Sequence, residues 1–406
     1  MKVIVVGAGA AGMMCAATAA VNGAEVVLLE RNDRCGRKLA ITGKGRCNVT
    51  NACSREEFLK NVIANPRFLY SALSVFSTED TVSFFESLGV PLKVERGNRV
   101  FPVSDDADQI VRALQTYCTD CGVQIRKGFV SRLSVEDGMI RGVALSDGSL
   151  LTADRVALAC GGMSYPGTGS DGNGYALACA CGHSLVTPRG SLVPWEVAER
   201  DLCKSLQGLS LKNTALRLES EGKTVYTDFG EMMFTHFGIT GPMVLSASTV
   251  MREGMKISLD LKPALTEEQL DKRLLSDFEK YRLKNLANAF DDLLPSKLIL
   301  PFLSYCGLDP IAKVHSLTRL QRMTILRSLK DFSLTAQRAR PISEAIVTAG
   351  GINVKEVNPR TMASRLCDGL YLCGEMLDVD AYTGGFNLQI AFSTGYLAGL
   401  SLADAR

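Results

Sequence analysis

The chain has 406 residues, 46% apolar and 22% charged, which is too long for one hydrophobic core and too apolar for extensive disorder. Its 45 basic and 43 acidic residues leave a formal charge of +2 with no basic run, which speaks against a nucleic-acid partner and for a small-molecule one. Thirteen cysteines scattered singly, an odd number, exclude a disulfide framework, and no stretch is long enough to span a membrane, so a reduced cytoplasmic protein is expected.

In chain order, residues 2–6 are a short apolar run that predicts a buried parallel strand. Gly7-Ala8-Gly9-Ala10-Ala11-Gly12 follows, then small helix-prone residues up to the break at Asn22-Gly23. Residues 25–30 predict a second strand, completing a βαβ opening. The three glycines fit G-x-G-x-x-G. The first permits a tight turn, the second lets the backbone approach a pyrophosphate, and the third lets helix and strand pack closely. The helix start, with Ala10 and Ala11, offers N–H groups and partial positive charge to phosphates. Glu30 stands 18 residues after Gly12, beside Arg31. A carboxylate there accepts from both ribose hydroxyls of an adenosine and repels a 2′-phosphate.

Residues 31–53 read as a long loop, residues 55–90 as helices with Pro66 starting a new one, and residues 106–121 as a further helix. Short strands fill 123–160, with hairpin turns at Asp137-Gly138 and Asp147-Gly148. A glycine-rich stretch, 161–174, reads as a turn back toward the same pyrophosphate. Residues 190–260 look strand-rich and 264–332 helical, and the strand-and-glycine texture returns near 340. The expected layout is a nucleotide-binding domain of 1–187 and 340–406, a β-rich cover domain of 188–262 with part of 318–339, and a helical domain of 263–317.

The fingerprint alone leaves FAD and NAD open. The loop Lys38-Leu39-Ala40-Ile41-Thr42-Gly43-Lys44-Gly45-Arg46-Cys47-Asn48-Val49-Thr50-Asn51 resembles the hallmark loop of a bacterial flavoprotein family labelled NAD(P)/FAD-dependent oxidoreductase or aminoacetone oxidase-like, to which a proposed bile-acid dienone reductase also belongs. Three further segments match that family in order: Gly161–Pro166, Gly230–Pro242, and Gly374–Asp378 with Gly384–Gln389. The resemblance implies an α/β fold, a Rossmann-type FAD-binding domain of the glutathione-reductase-like FAD superfamily with an inserted β-rich domain and a helical domain.

It also implies cofactor contacts from Lys38, Leu39, Gly43, Arg46, Cys47, Asn48, Gly161, Gly162, Gly374, Glu375, Asp378, Gly385, Asn387 and Leu388, with Val130 meeting the adenine. The helix beginning near Asn387 would aim its N-terminus at the flavin pyrimidine edge. Lys38, Lys44 and Arg46 are expected as cations beside the pyrophosphate, whereas Asp378 and Asp380 also read as solvated loop acids. Cys47 reads better as a small buried filler than as a reactive thiol.

No second G-x-G-x-x-G follows a strand, so NAD(P)H is expected only as a transient electron donor. Cys118-x-x-Cys121 sits at a helix end, the wrong end for a redox pair. Among the three histidines no metal spacing exists; His183 reads as a helix C-cap and His315 shows no partner. His236, among Phe234, Phe237 and flexible glycines, reads equally as a substrate-side acid or a packed residue, with Tyr165 and Tyr382 as competing donors. The expected function is FAD-dependent, NAD(P)H-driven reduction of an activated C=C bond in a small organic substrate. Oxygen-dependent oxidation of a small amine is the alternative enzyme, and a tRNA-associated flavoprotein the alternative of another class.

Overall fold

Val3, Ile4, Val5 and Val6 are all buried, which is why the strand Lys2–Val6 shows no polar alternation. In the computed structural model of the chain, which describes residues 1–404, this strand pairs in parallel with Glu25–Glu30 on one side and Arg155–Leu158 on the other. Gln124–Lys127 extends the first edge and Leu370–Leu372 the second, both in parallel. The resulting sheet has five strands in the order 370–372, 155–158, 2–6, 25–30, 124–127. Fingerprint and C-terminal motif therefore lie at the same edge of the sheet, with the end of strand 155–158 between them, where open α/β sheets bind their ligands.

The helix Ala10–Val21, mostly small residues apart from Met13, Met14 and Val21, packs on the C-terminal helix Phe386–Ala403. The crossing is tight. A Cβ on Gly395 would stand 2.4 Å from the Ala11 carbonyl oxygen, and one on Gly399 2.5 Å from that of Cys15. The C-terminal helix is apolar on nearly all sides, as a helix enclosed by its own domain must be. Ala107–Asp120 is capped by Asp106, whose side chain accepts from the Asp108 N–H, and buries Ile110, Val111, Leu114 and Cys118 along one stripe. Between 130 and 145 the hairpin turns through Asp137 and Gly138, both at positive φ, as a type I′ turn requires.

The stretch 31–53, expected as a loop, holds a short helix, Arg37–Ile41. Tertiary packing decides this. Gly36, at φ 66°, lies against Val111, and a Cβ there would stand 2.8 Å from the valine methyl.

The described chain divides into two compact units, Met1–Ser191 with Ile342–Arg406, and Leu192–Pro341. The second contains a closed six-stranded barrel, in the order 195–197, 238–240, 223–234, 210–220, 256–260, 332–339. Its three longest helices, Glu267–Lys280, Ser296–Tyr305 and Arg319–Lys330, follow one another between the barrel strands Lys256–Asp260 and Phe332–Ala339. Thr266 with Gln269 and Thr318 with Gln321 close capping boxes at the first and last of them. Barrel and helices fall within that one unit.

Candidate cofactor site

The three fingerprint glycines have different reasons to be glycine. Gly7 sits at φ 100°, and a Cβ there would stand 2.6 Å from the Ala159 carbonyl oxygen. A Cβ on Gly12 would lie 1.8 Å from the Gly7 carbonyl oxygen. Those two are demanded by the chain itself. At Gly9 a Cβ would meet no atom within 4 Å. The helix that follows has no side-chain cap and no acid in its first turn, so its N–H groups and positive end are left for an anion.

Glu30 is 9% exposed. One oxygen accepts from the Ala8 N–H at 2.9 Å, the other from the Asn32 backbone and side-chain N–H groups at 2.9 and 2.7 Å. Arg31 pairs with Asp171 at 2.8 Å and stacks over Phe129, 5.3 Å from its centroid. Asn173 donates to the Val130 carbonyl at 3.3 Å, and Asn32 to that of Thr168 at 3.2 Å. The glycine-rich stretch 161–174 thus returns to the Glu30 end. Glu30→Ala is expected to weaken FAD by about 1.5–3 kcal/mol for each ribose bond lost; titration of the flavin-free variant checks it, and unchanged affinity would refute the assignment.

A partly buried polar knot joins the loop 38–51 to the C-terminal motif. Lys38 Nζ donates to both Glu375 oxygens at 2.8 and 2.6 Å and to Ser164 Oγ at 2.6 Å. Glu375 also accepts from the Thr348 N–H at 3.1 Å and from Ser164 Oγ at 3.0 Å. Burial alone would push its pKa up, but the charge and hydrogen bonds of Lys38, with those from the Thr348 N–H and the Ser164 hydroxyl, together outweigh burial and leave it below the usual carboxylate range. Gly161 and Gly162 give this knot its room, since a Cβ on Gly162 would stand 2.3 Å from Thr348 Oγ1.

Gly385, at φ 97°, caps the helix Phe386–Ala403, and a Cβ there would stand 2.2 Å from the Thr50 carbonyl oxygen. Gly374, at φ 77°, lies against Ala11. Asn387 accepts from the Ala381 N–H at 3.0 Å and donates to the Ala381 carbonyl at 2.8 Å, folding the preceding loop onto the helix start. With its amide oxygen and nitrogen exchanged, the orientation its surroundings satisfy, Asn48 accepts from the Gly385 N–H at 2.9 Å and donates to the Thr50 and Val100 carbonyls. Leu388 is half-buried on the first turn. This helix too lacks a side-chain cap and a first-turn acid.

Several expected site residues have other partners. Arg46 pairs with Glu95 and, at 2.6 Å, with Asp105, and lies 4.2 Å over the Phe101 ring. It holds the loop down through its own carboxylates instead of standing as an open cation. Leu39 is a core residue, and Gly43 abuts the Asn48 N–H. Cys47 is wholly buried, its thiol pushed up to about 12 by burial. Asp378 accepts from the Asn65 amide at 3.0 Å. Asp380, read as a solvated loop acid, is instead 1% exposed.

Three buried polar atoms of this unit have no hydrogen-bond partner among the described residues: the Tyr175 hydroxyl, within the field of Glu375 and Asp378, His183 Nδ1, and Asp380 Oδ1. Buried polar atoms are normally satisfied. Two uncapped helix starts, a buried carboxylate beside the glycine cradle and open space at Gly9 fit FAD.

Tyr165 and Tyr382 are half-buried in loops of this unit, Tyr165 at φ 53° before the turn Pro166–Thr168 and Tyr382 donating its N–H to Asn61 at 3.0 Å. His236 belongs to the barrel unit. It is exposed on the turn between Phe234 and Gly238, edge-on to Phe237 at 5.1 Å, and Arg340 covers that phenylalanine at 4.6 Å. His183 does not cap its helix with its ring. The ring is buried, with Nε2 2.8 Å from Ser364 Oγ, and burial lowers its pKa against the pull of Glu356. Cys118 is fully buried and its thiol is pushed up to about 12, chiefly by burial, the wrong direction for a redox thiol. Among the described residues no group of three or more His, Cys, Asp or Glu side chains could hold a metal, and no helix is long and apolar enough to cross a membrane.

The HI0933-like protein Rossmann domain family matches residues 1–401. A 3-dehydro-bile acid delta(4,6)-reductase of Clostridium scindens is 34% identical over 420 residues, covering 99% of each chain. A ribosomal RNA dihydrouridine synthase of Haemophilus influenzae is 31% identical over 405 residues, covering 98% of each. Among solved structures, a 3-ketosteroid-delta4-(5alpha)-dehydrogenase from Rhodococcus jostii superposes with TM-score 0.54 at 15% identity, covering 99% of this chain and 97% of the other, a likeness of fold.

Proposed function

The chain belongs to the HI0933-like Rossmann domain family, and on that premise we propose that this FAD-dependent oxidoreductase reduces a C=C bond conjugated to a carbonyl, with NAD(P)H as a transient electron donor. One observation carries the reading. Two relatives similar over their full lengths are named for different substrates but for one kind of bond change. A Δ4,6 compound with a 3-oxo group is a conjugated dienone, and dihydrouridine is uridine with its ring C=C reduced.

FAD, when bound, supplies the hydride chemistry. The chain's residues bind and orient. The helix start at Gly9–Gly12 would hold the pyrophosphate, Glu30 the adenosine ribose, Glu375 the ribityl chain, and the helix start at Gly385–Leu388 the pyrimidine edge, where negative charge develops. The carbon that does not take hydride needs a proton, for which His236 is the leading donor and Tyr165 and Tyr382 are the alternatives, worth about 10²–10⁴ in rate.

The test is anaerobic mixing with NADH or NADPH, followed by addition of a steroidal 4,6-dien-3-one, a uridine-containing ribosomal RNA fragment, or a small amine with O₂. The flavin should bleach with weak saturation and slight preference between donors, because a single nucleotide cradle is taken by FAD. It should recolour on addition of the dienone. Recolouring only with the RNA would favour the second reading, a nucleobase substrate, to which the dihydrouridine synthase relative points. Turnover with the amine and O₂ alone would overturn both. His236→Ala should lower turnover and keep FAD content; lost FAD with full activity per flavin would make His236 a packing residue.

A further inference from the structure

Three arginines converge on one acid of the barrel unit. Glu196 lies on the strand Trp195–Val197, its side chain only 3% exposed. Arg338, its cross-strand partner on Phe332–Ala339, reaches it through Nε and Nη2, both at 3.1 Å. Arg200, at the start of the short helix Arg200–Ser205, reaches it at 2.6 Å, and Arg340 at 2.8 Å. The hydrogen bond from Arg338, with those charges, holds Glu196 below the usual carboxylate range. One ionised carboxylate offsets only one of the charges drawn to it. Among the described residues Arg200 and Arg338 have no second carboxylate within ion-pair distance, and Glu199, beside Arg200, is engaged by the Thr335 N–H and hydroxyl. Their side chains are 53% and 66% exposed, and among the described residues the Nη1 group of each has no hydrogen-bond partner.

We propose that Arg200 and Arg338, braced on Glu196, form a subsite for a carboxylate carried by the substrate. Its place beside the reaction rests on the reading of His236 as the residue that faces a small organic substrate. Glu196 pairs across the ladder with Gly238, two residues from His236. Arg340 spans the same gap: its guanidinium bonds Glu196 and covers the Phe237 ring, to which His236 stands edge-on. A carboxylate suits the donors, because a guanidinium presents paired N–H groups in a plane that two carboxylate oxygens match. Glu196 fixes both side chains before a ligand arrives, so less rotamer freedom is lost on binding. Two guanidinium groups are too few for a nucleic-acid backbone, whose binding typically neutralises about six or more phosphates. A single small anion fits the size of the spot.

The experiment measures binding to the FAD-loaded protein by equilibrium dialysis, with no electron donor. The probes are a steroidal 4,6-dien-3-one bearing a side-chain carboxylate and the methyl ester of the same compound. Wild type should bind the acid about 3- to 10-fold more tightly than the ester, the span of a charge-assisted bond at a half-exposed site. The preference should shrink as salt is raised, since exposed charges are screened. The double variant Arg200→Gln with Arg338→Gln should bind acid and ester alike, at the level of the ester in wild type; Arg340 stays on Glu196, so the buried carboxylate keeps a cation. Arg338→Lys, which keeps the charge and loses the fork, should retain part of the preference. Equal binding of acid and ester by wild type, a preference that survives in the double variant, or binding of neither compound overturns the proposal. So does a uridine-containing ribosomal RNA fragment that wild type binds and the double variant does not, with no preference for the acid. Acid held through the arginines that fails to recolour the reduced flavin would leave the subsite standing and overturn the dienone reading alone.

Discussion

Gly12→Ala should cost the protein about 3 kcal/mol or more of stability and abolish retention of FAD. The added Cβ would stand 1.8 Å from the Gly7 carbonyl oxygen and 3.0 Å from its carbonyl carbon. Neither atom can yield cheaply. Gly7 donates its N–H to Leu29 at 2.8 Å and is itself wedged against Ala159. The helix Ala10–Val21 would have to lift, yet its other side is fixed on Gly395 and Gly399. Gly9→Ala separates stability from binding. Nothing lies within 4 Å of its Cβ, and its φ of −84° suits alanine. Thermal unfolding of the flavin-free Gly9→Ala protein should match wild type while FAD affinity falls, because the methyl group occupies the cradle. A Gly12→Ala protein that melts like wild type would show that the turn is far softer than its geometry implies.

Lys38→Met should be the second most damaging single change. It leaves Glu375 with the Thr348 N–H and the Ser164 hydroxyl but no cation. Breaking a buried pair from one side costs about 3–5 kcal/mol, and because Lys38 and Glu375 side chains keep 23% and 21% of their exposure, the lower figure is expected. The pH dependence identifies the cause. In wild type the Glu375 pKa is depressed, so its contribution is complete above the unfolded-state carboxylate pKa and is lost as pH falls through the lower folded value. Without Lys38, burial dominates and the carboxyl prefers its neutral form. The deficit of Lys38→Met should therefore shrink between pH 7 and pH 4. Denaturant unfolding at both values measures it. A deficit that does not change with pH would mean the lysine acts through packing of its methylene stem.

What could be read from the sequence followed from rules local to a few residues. Gly7 and Gly12 are legible because a tight turn and a close helix contact each exclude a side chain, and the place of Glu30 because the second strand ends there. The helix Ala107–Asp120 is legible from its stripe and cap. The misses share one character. Gly36 starts a helix because Val111, far along the chain, lies against it. His183 turns inward to Ser364. Arg46 finds Glu95 and Asp105 on a neighbouring hairpin and turn. Asp380 is enclosed by Ser191 and by the segment 61–65. Loop acids and basic loops look alike in one dimension, and only tertiary partners decide which are solvated, paired or buried.

The pairing of the first and last helices has a consequence for how the chain is made. The barrel unit is continuous in sequence, so every strand it needs has been synthesised once residue 339 is complete. The parallel sheet is not. Its edge strand Leu370–Leu372 and the helix that covers Ala11 and Cys15 leave the ribosome only after the barrel. Until then the N-terminal strand and helix, apolar on almost every side, wait with a seam of backbone uncovered along Ala11–Thr18. A ribosome stalled before residue 386 should thus hold a finished barrel and an N-terminal half that proteases can still cut and chaperones can still bind.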